Sequence, residues 1–72
     1  MNSARKVKVE AEVTTVSGTE PYFICKLFRN GKKVHECVKA DKTHIVEKTL
    51  RGYEGKILPC EFEVALRPEV SR

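Results

Sequence analysis

Histidine and cysteine are the side chains of this chain that could bind a metal or carry out nucleophilic chemistry. His35 and Cys37 stand two residues apart, and His44 and Cys60 occur further along. Zinc is bound by these side-chain types, but the sequence contains no Cys-x-x-Cys pair, the spacing that usually marks such a site. Nucleophilic catalysis needs a nucleophile, a base and an orienting group within hydrogen-bond distance, and no motif indicates such a set. We therefore expect no metal, no cofactor and no catalytic centre.

Carboxylate pairs are a second group of side chains that could support catalysis. Glu10 and Glu12 are two residues apart, and so are Glu61 and Glu63. In a β-strand this spacing places both carboxylates on one solvated face. A glycosidase-type pair instead needs a cleft, which a chain of 72 residues is too small to build. The sequence thus predicts that the protein is not an enzyme.

The length and the three cysteines, Cys25, Cys37 and Cys60, limit the class of protein. An odd number of cysteines leaves at least one thiol unpaired in a monomer, and free cysteine is typical of reducing compartments. This favours a cytoplasmic location, although an excised domain of a secreted protein would look the same. No apolar run approaches the about 20 residues of a transmembrane helix, so we expect no membrane partner. The size predicts one β domain over residues 1–72, ordered over about 5–67.

The positive charge of the chain is concentrated in its middle. The net charge is +4, and residues 26–56 contain nine basic side chains against four acidic ones. The two ends of the chain are therefore slightly acidic when taken together. A basic central region favours an acidic partner.

Alternation of polar and apolar residues predicts the first strand, from Lys6 to Val13, with its valines and Ala11 buried. The segment from Tyr22 to Arg29 is the most apolar and predicts a strand covered on both faces. The Asn30-Gly31 dipeptide that follows is the strongest short-range signal for a two-residue type I′ turn. A β-hairpin is therefore expected here, with opposed residues whose numbers sum to 61.

This register assigns the side chains of the hairpin to two faces. It pairs Leu27 with Val34, Phe23 with Val38, Ile24 with Cys37, and Lys26 with His35. One face is the expected core and carries Phe23, Cys25, Leu27, Val34 and Val38. The other is the expected interaction face and carries Tyr22, Ile24, Lys26, Phe28, Lys33, His35, Cys37 and Lys39.

The second half of the chain predicts further strands. Residues 43–50 contain enough β-branched side chains to favour a strand. Residues 51–55 contain two glycines and predict a loop. Residues 60–67 alternate again and predict the last strand, with Pro59 at its start. We expect the tail, residues 68–72, to be frayed.

Five strands with short turns predict an all-β fold, a single small antiparallel β-sandwich or open barrel of about five strands. The pattern Tyr-Phe-x-Cys-x-Leu-Phe-Arg-Asn-Gly-Lys-Lys-Val, from Tyr22 to Val34, is followed by the alternating strand through Phe62, Glu63 and Val64. Together they resemble the central hairpin and final strand of small immunoglobulin-like or fibronectin type III-like domains. The resemblance covers the chain from Tyr22 to Arg67 and implies a recognition or spacer module. Tryptophan and the inter-sheet cysteine pairing of true immunoglobulin domains are missing.

Three functions fit these observations. We expect a non-enzymatic protein-interaction module, of a binding or inhibitor type, whose partner is another, acidic protein or a second copy of the chain. It would act through a strand edge or through the interaction face, with Tyr22, Ile24, Lys26, Phe28, Lys33, His35 and Lys39 as binding residues. The alternative is a small basic nucleic-acid-binding β-barrel, because single-strand binders also combine rings and positive charge on one face. A structural spacer domain of a longer protein is the second alternative.

Overall fold

A computed structural model describes residues 6–57 and 61–72 of the chain. Three strands come first, followed by one helix and two further strands. Their bounds are Lys6–Val16 (β1), Tyr22–Arg29 (β2), Lys32–Lys39 (β3), Ile45–Glu54 (α1), Glu61–Leu66 (β4) and Val70–Ser71 (β5). Pro59 and Cys60, which the sequence places at the start of the last strand, lie outside the described residues.

The strands form one mixed sheet in the order β3-β2-β1-β4, and the short β5 also pairs with β1. β2 is antiparallel to both β1 and β3, whereas β4 and β5 run parallel to β1. A parallel neighbour requires a crossover connection, and the segment containing α1 provides it by carrying the chain from β3 across the sheet to the far side of β1. The described part of the chain is therefore mostly β, but its sheet is not wholly antiparallel and no second sheet covers it.

The helix α1 replaces the strand that the sequence predicts over residues 43–50. That prediction was wrong because it rested on β-branched content, whereas the buried positions of this segment repeat every four residues. Ile45, Thr49 and Tyr53 are buried on one side of α1, and this spacing is typical of an amphipathic helix. The hydroxyl of Thr49 donates to the carbonyl of Ile45 at 2.7 Å, so the buried polar group is satisfied within the helix.

Gly52 lies inside α1, although the sequence predicts a glycine-containing loop there. A Cβ atom at this position would stand 3.0 Å from Nε2 of His35. Glycine weakens a helix by about 1 kcal/mol relative to alanine, but here it leaves space for the imidazole of a neighbouring strand. The close packing of β3 against α1 thus explains a glycine that local propensity assigns to a loop.

The core lies between α1 and one side of the sheet, which we call the covered face. Alternate residues of β1 point into it, as the period-two pattern predicts. The buried hydrophobic residues are Val7, Val9, Ala11, Val13, Cys25, Leu27, Ile45 and Tyr53. On the opposite side, the uncovered face, no described element lies over the sheet. The strand β2 is therefore covered on one face and not on both.

The turn between β2 and β3 has the predicted conformation, but the register beyond it differs. Asn30 and Gly31 have φ values of 55° and 81°, as a type I′ turn requires. Phe28 pairs with Lys33, in the predicted register, but Leu27 pairs with His35. A β-bulge thus inserts one extra residue into β3 and shifts the rest of the hairpin.

This bulge makes the predicted pairs wrong by one residue. The observed pairs are Phe23 with Lys39, Ile24 with Val38, Cys25 with Cys37, Lys26 with Glu36 and Leu27 with His35. A slip of one residue moves every side chain of a strand to the other face. His35, Cys37 and Lys39 therefore lie on the covered face, and Val38 lies on the uncovered face.

The tail of the chain is paired with β1, where the sequence predicts fraying. The N–H of Arg72 donates to the carbonyl of Thr15 at 2.8 Å, and the N–H of Ser17 donates to the carbonyl of Arg72 at 3.0 Å. Within β5, Val70 pairs with Thr14. The tail therefore extends the line of β4 along the same edge of β1.

Candidate interaction surface

Side chains on the uncovered face lie in rows, because paired residues of adjacent strands stand side by side. Near one end of the sheet, Val70, Thr14, Ile24 and Val38 follow one another across four strands. Tyr22 lies two residues from Ile24 in β2 and therefore points to the same side. We call the four large residues of this group, Tyr22, Ile24, Val38 and Val70, the apolar row.

Most of the apolar row is open to solvent. Tyr22, Val38 and Val70 are 40%, 56% and 39% exposed, and Ile24 is half-buried. Thr14 is only 4% exposed, because the larger side chains beside it cover it. A contiguous apolar surface of this kind on a small domain is typical of a contact site for another molecule.

The rows next to the apolar row carry paired charges. Glu12, Lys26 and Glu36 are neighbours across β1, β2 and β3. The ammonium group of Lys33 donates to Oε1 of Glu36 at 2.7 Å, and this bond holds the pKa of the Glu36 carboxyl below its ordinary value. Glutamates therefore offset the lysines in the rows next to the apolar row.

Phe28 lies on the uncovered face near the turn between β2 and β3, beneath an arginine. The guanidinium carbon of Arg67 is 4.0 Å from the centroid of the Phe28 ring, a cation–π geometry. Nε of Arg67 also donates to Oε1 of Glu10 at 2.9 Å. The sequence analysis did not single out Arg67, because it is 57 positions from Glu10 and meets it only through the parallel pairing of β1 and β4.

The residues predicted to bind a partner are divided between the two faces. Five of them share the uncovered face, namely Tyr22, Ile24, Lys26, Phe28 and Lys33. His35 and Lys39 lie on the covered face because of the bulge in β3. The structure adds Val38 and Val70, which the sequence analysis missed because it used the wrong register and a frayed tail.

His35 packs against α1 on the covered face. Its ring is stacked on Tyr53 with 6.0 Å between the centroids, and its Nε2 lies 3.7 Å from Sγ of Cys37. Burial, together with the positive charge of Lys56, lowers the pKa of His35. The folded protein thus favours the neutral imidazole, which suits a ring that packs against an aromatic side chain.

Cys25 and Cys37 are directly opposed in β2 and β3, and both are free thiols. Burial raises the pKa of Cys25, and the hydrogen bond with Thr49 offsets this only in part. An enclosed and protonated thiol is a poor nucleophile. Within residues 6–57 and 61–72, no group of three or more His, Cys, Asp or Glu side chains is arranged to hold a metal. Cys60, named with His44 as a possible ligand, lies outside these ranges.

A net positive charge lies at one edge of the sheet. Three lysines, Lys32, Lys33 and Lys39, lie on β3, the strand at that edge, and only Lys33 is paired with the single acid of the strand, Glu36. On α1, by contrast, Lys48 and Arg51 are balanced by Glu47 and Glu54. The apolar row therefore meets a basic edge at Val38.

No helix in the described ranges is both long enough and apolar enough to cross a membrane. The chain was also compared with models of protein families, with curated proteins and with solved structures, and none of them matches it. The likeness to immunoglobulin-like and fibronectin type III-like domains therefore stays an expectation from the sequence. Function has to be argued from the surface of this molecule, since a fold alone does not define one.

Proposed function

We propose that this domain is a non-enzymatic protein-interaction module that binds another protein through the apolar row and the adjoining edge of β3. The observation that carries the proposal is the exposure of Tyr22, Val38 and Val70 around the half-buried Ile24, on a face that no described element covers. Tyrosine is among the residue types that contribute most of the binding energy where two proteins meet, and apolar neighbours around it exclude water. A surface that served only for solubility would carry charge at these positions.

The edge of β3 indicates the chemistry of the partner. Among the described residues β3 pairs only with β2, so its outer backbone groups are available to an added strand. Its lysines would attract an acidic segment and would repel a second copy of β3. The partner that fits best is therefore an extended acidic segment of another protein, with apolar side chains that reach Val38 and Ile24.

Three features favour a protein over a single-stranded nucleic acid at this surface. Tyr22 and Phe28 are six positions apart in one strand, which separates them by about 20 Å, so they do not form a continuous stacking platform. Arg67 also covers one side of the Phe28 ring. In addition, carboxylates are interspersed with the lysines, and these would repel phosphates.

Affinity measurements on matched variants test this proposal. A partner captured from lysate in the presence of nuclease would be titrated by calorimetry against the wild type, Tyr22→Ala, Val38→Ala and Lys8→Ala. We expect Tyr22→Ala to lose about 2 kcal/mol of binding energy, a roughly 30-fold weaker affinity, and Val38→Ala to lose about 1–1.5 kcal/mol. Lys8→Ala is the control, because Lys8 lies on the same face outside the apolar row, and it should bind as the wild type does.

Three outcomes would contradict the proposal. Equal affinities for all variants would remove the apolar row from the binding surface. Loss of the captured partner on nuclease treatment, with a steep salt dependence, would indicate nucleic-acid binding instead. Failure to capture any partner would favour a spacer domain.

A further inference from the structure

The sheet has a second free edge, formed by β4, whose backbone groups face outwards. Among the described residues β4 pairs only with β1. The N–H of Arg67 donates to the carbonyl of Ala11 at 2.9 Å, and alternate residues of a strand direct their backbone groups to the same side. The N–H and C=O groups of Phe62, Val64 and Leu66 therefore point away from β1.

The side chains of the same three residues form an apolar line along this edge. Leu66 is 71% exposed, more than any other large hydrophobic residue of the described chain, while Phe62 and Val64 are half-buried. All three lie on the covered face, in register with core residues of β1. A concavity of about 240 Å³ adjoins Leu66 and is lined on its helix side by Ile45 and Val46.

The β4 edge lacks the features that protect the β3 edge. β3 carries three lysines and a bulge, both of which hinder the addition of an identical strand. β4 has no lysine, no proline and no irregularity in its pairing with β1 over Glu61–Leu66. An unprotected edge with an apolar line is a surface on which another strand can pair.

We propose that β4 pairs antiparallel with β4 of a second copy of the chain, about a two-fold axis through Val64. In this register Val64 faces Val64 of the second copy, and Phe62 faces Leu66. Each of these residues has outward backbone groups, so each pair exchanges two backbone hydrogen bonds. The contact is the same on both copies, which closes a dimer and leaves no free β4 edge.

The glutamates of β4 favour this register, because it opposes no two of them, and a strand that fits its own reverse favours a second copy as the occupant. With the axis at Val64, Glu63 faces the small side chain of Ala65, and Glu61 faces Arg67, whose guanidinium stays bound to Glu10 within its own copy. An axis at Glu63 would instead bring two Glu63 carboxylates together, which is unfavourable for directly opposed residues. The strand is therefore complementary to itself in apolar pairing and backbone direction.

Sedimentation velocity over a dilution series tests the dimer with a matched pair of variants. We expect the wild type to form a concentration-dependent dimer, and Leu66→Lys to weaken dimerisation about tenfold or more, or to abolish it. Val38→Lys is the control, because it places the same side chain at an exposed valine on the opposite edge. Circular dichroism and thermal melting of each variant verify that it is folded.

A purely monomeric wild type at all concentrations would overturn the proposal. So would a dimer that survives Leu66→Lys but is lost in Val38→Lys, because the apolar row would then hold the two copies together. The proposed binding of a different protein uses the apolar row and the edge of β3, so it should persist in Leu66→Lys. Failure of this inference is therefore distinguishable from failure of the proposed function.

Disulfide trapping tests the register and does not depend on a loss of association. Under mild oxidation Val64→Cys should form a covalent dimer, because the two introduced thiols lie across the axis. Glu63→Cys should not, and the wild type shows what its own cysteines contribute. Covalent dimers from Glu63→Cys, with none from Val64→Cys, would overturn the register.

Discussion

The two faces of the sheet are built from alternate residues of the same strands, yet their surfaces differ. On the covered face, valines from β1 meet Cys25 and Leu27 of β2 beneath α1, and these side chains are almost fully enclosed. On the uncovered face, rows of paired charges stand next to the apolar row. Burial removes one set of apolar side chains from water, whereas the other stays accessible to a partner.

The position of α1 explains this difference. A helix crossing one side of a sheet buries the side chains beneath it and leaves the other side to water. Charge pairs such as Lys33–Glu36 can occupy the uncovered face, since ions remain hydrated there. Large apolar residues that remain exposed on that face contribute little to the stability of the fold. We therefore assign binding to the apolar row and stabilisation of the fold to the covered face.

The largest expected effect is on the covered face. Leu27 is fully buried, and Leu27→Ala should reduce the free energy of unfolding by about 2–5 kcal/mol, because it leaves a cavity in the core. Chemical denaturation measures the loss. Val38→Ala on the uncovered face is the control and should change stability by no more than about 0.5 kcal/mol. Similar losses at both sites would contradict the division between the faces.

A smaller loss of stability is expected at the turn that aligns β2 with β3. Gly31 has a φ of 81°, and a β-branched residue is strained there, so Gly31→Val should cost about 1–2 kcal/mol. Gly31→Asn is the matched control, because asparagine tolerates a left-handed backbone. Thermal unfolding compares the two variants. Equal melting temperatures for Gly31→Val and the wild type would contradict the left-handed conformation of Gly31 in this turn.

Protonation of His35, which packs on the covered face, should make the free energy of unfolding depend on pH. Its pKa is lowered in the folded protein by burial and by Lys56, so the unfolded chain binds the proton first as the pH falls. This contribution is fully present above about pH 6.5 and is lost as the pH drops through the range down to the folded pKa. Urea denaturation at pH values across that range measures it, and His35→Gln should flatten the dependence.

Two carboxylates also contribute stability that is lost as the pH falls, but at lower pH than for His35. The pKa of Glu36 is lowered by its bond to Lys33, and that of Asp41 by the backbone N–H of Thr43. Both carboxyls have a pKa below the ordinary value for their side chain, so their protonation takes place at lower pH than that of an ordinary histidine. Stability that increased between pH 6.5 and 5 (about the range of an ordinary histidine) would contradict the packing of a neutral His35 against Tyr53.

The smallest effect is expected at Arg67 on the uncovered face. Arg67→Ala removes the cation over Phe28 and its bonds to Glu10, and it should cost about 0.5–1 kcal/mol because the pair is partly exposed. Arg67→Lys keeps the charge but loses the planar stacking, so its stability should lie between those of the wild type and Arg67→Ala. Denaturation at low and high salt would separate these contributions. A loss as large as that of Leu27→Ala would show that this face, too, is part of the core.

The sequence by itself determined the local features of this protein. Strict alternation in β1 and the apolar segment of β2 identified both strands, and Asn30-Gly31 identified the turn between them. These features depend on residues close together in the chain, where side-chain periodicity and backbone preference act directly. Because alternation along β2 and the turn are local features, the sequence correctly grouped five of the seven predicted binding residues on one face, the uncovered face.

Only the tertiary structure decided which side chains meet across the sheet. The bulge in β3 places His35 and Cys37 on the covered face. The close packing of His35 on α1 accounts for a glycine at position 52 of the helix. Parallel pairing of β4 and β5 with β1 brought Arg67 to Phe28 and Val70 to the apolar row. Each contact joins residues distant in the chain, and its free energy depends on the surface that the crossing helix buries, which no local pattern encodes.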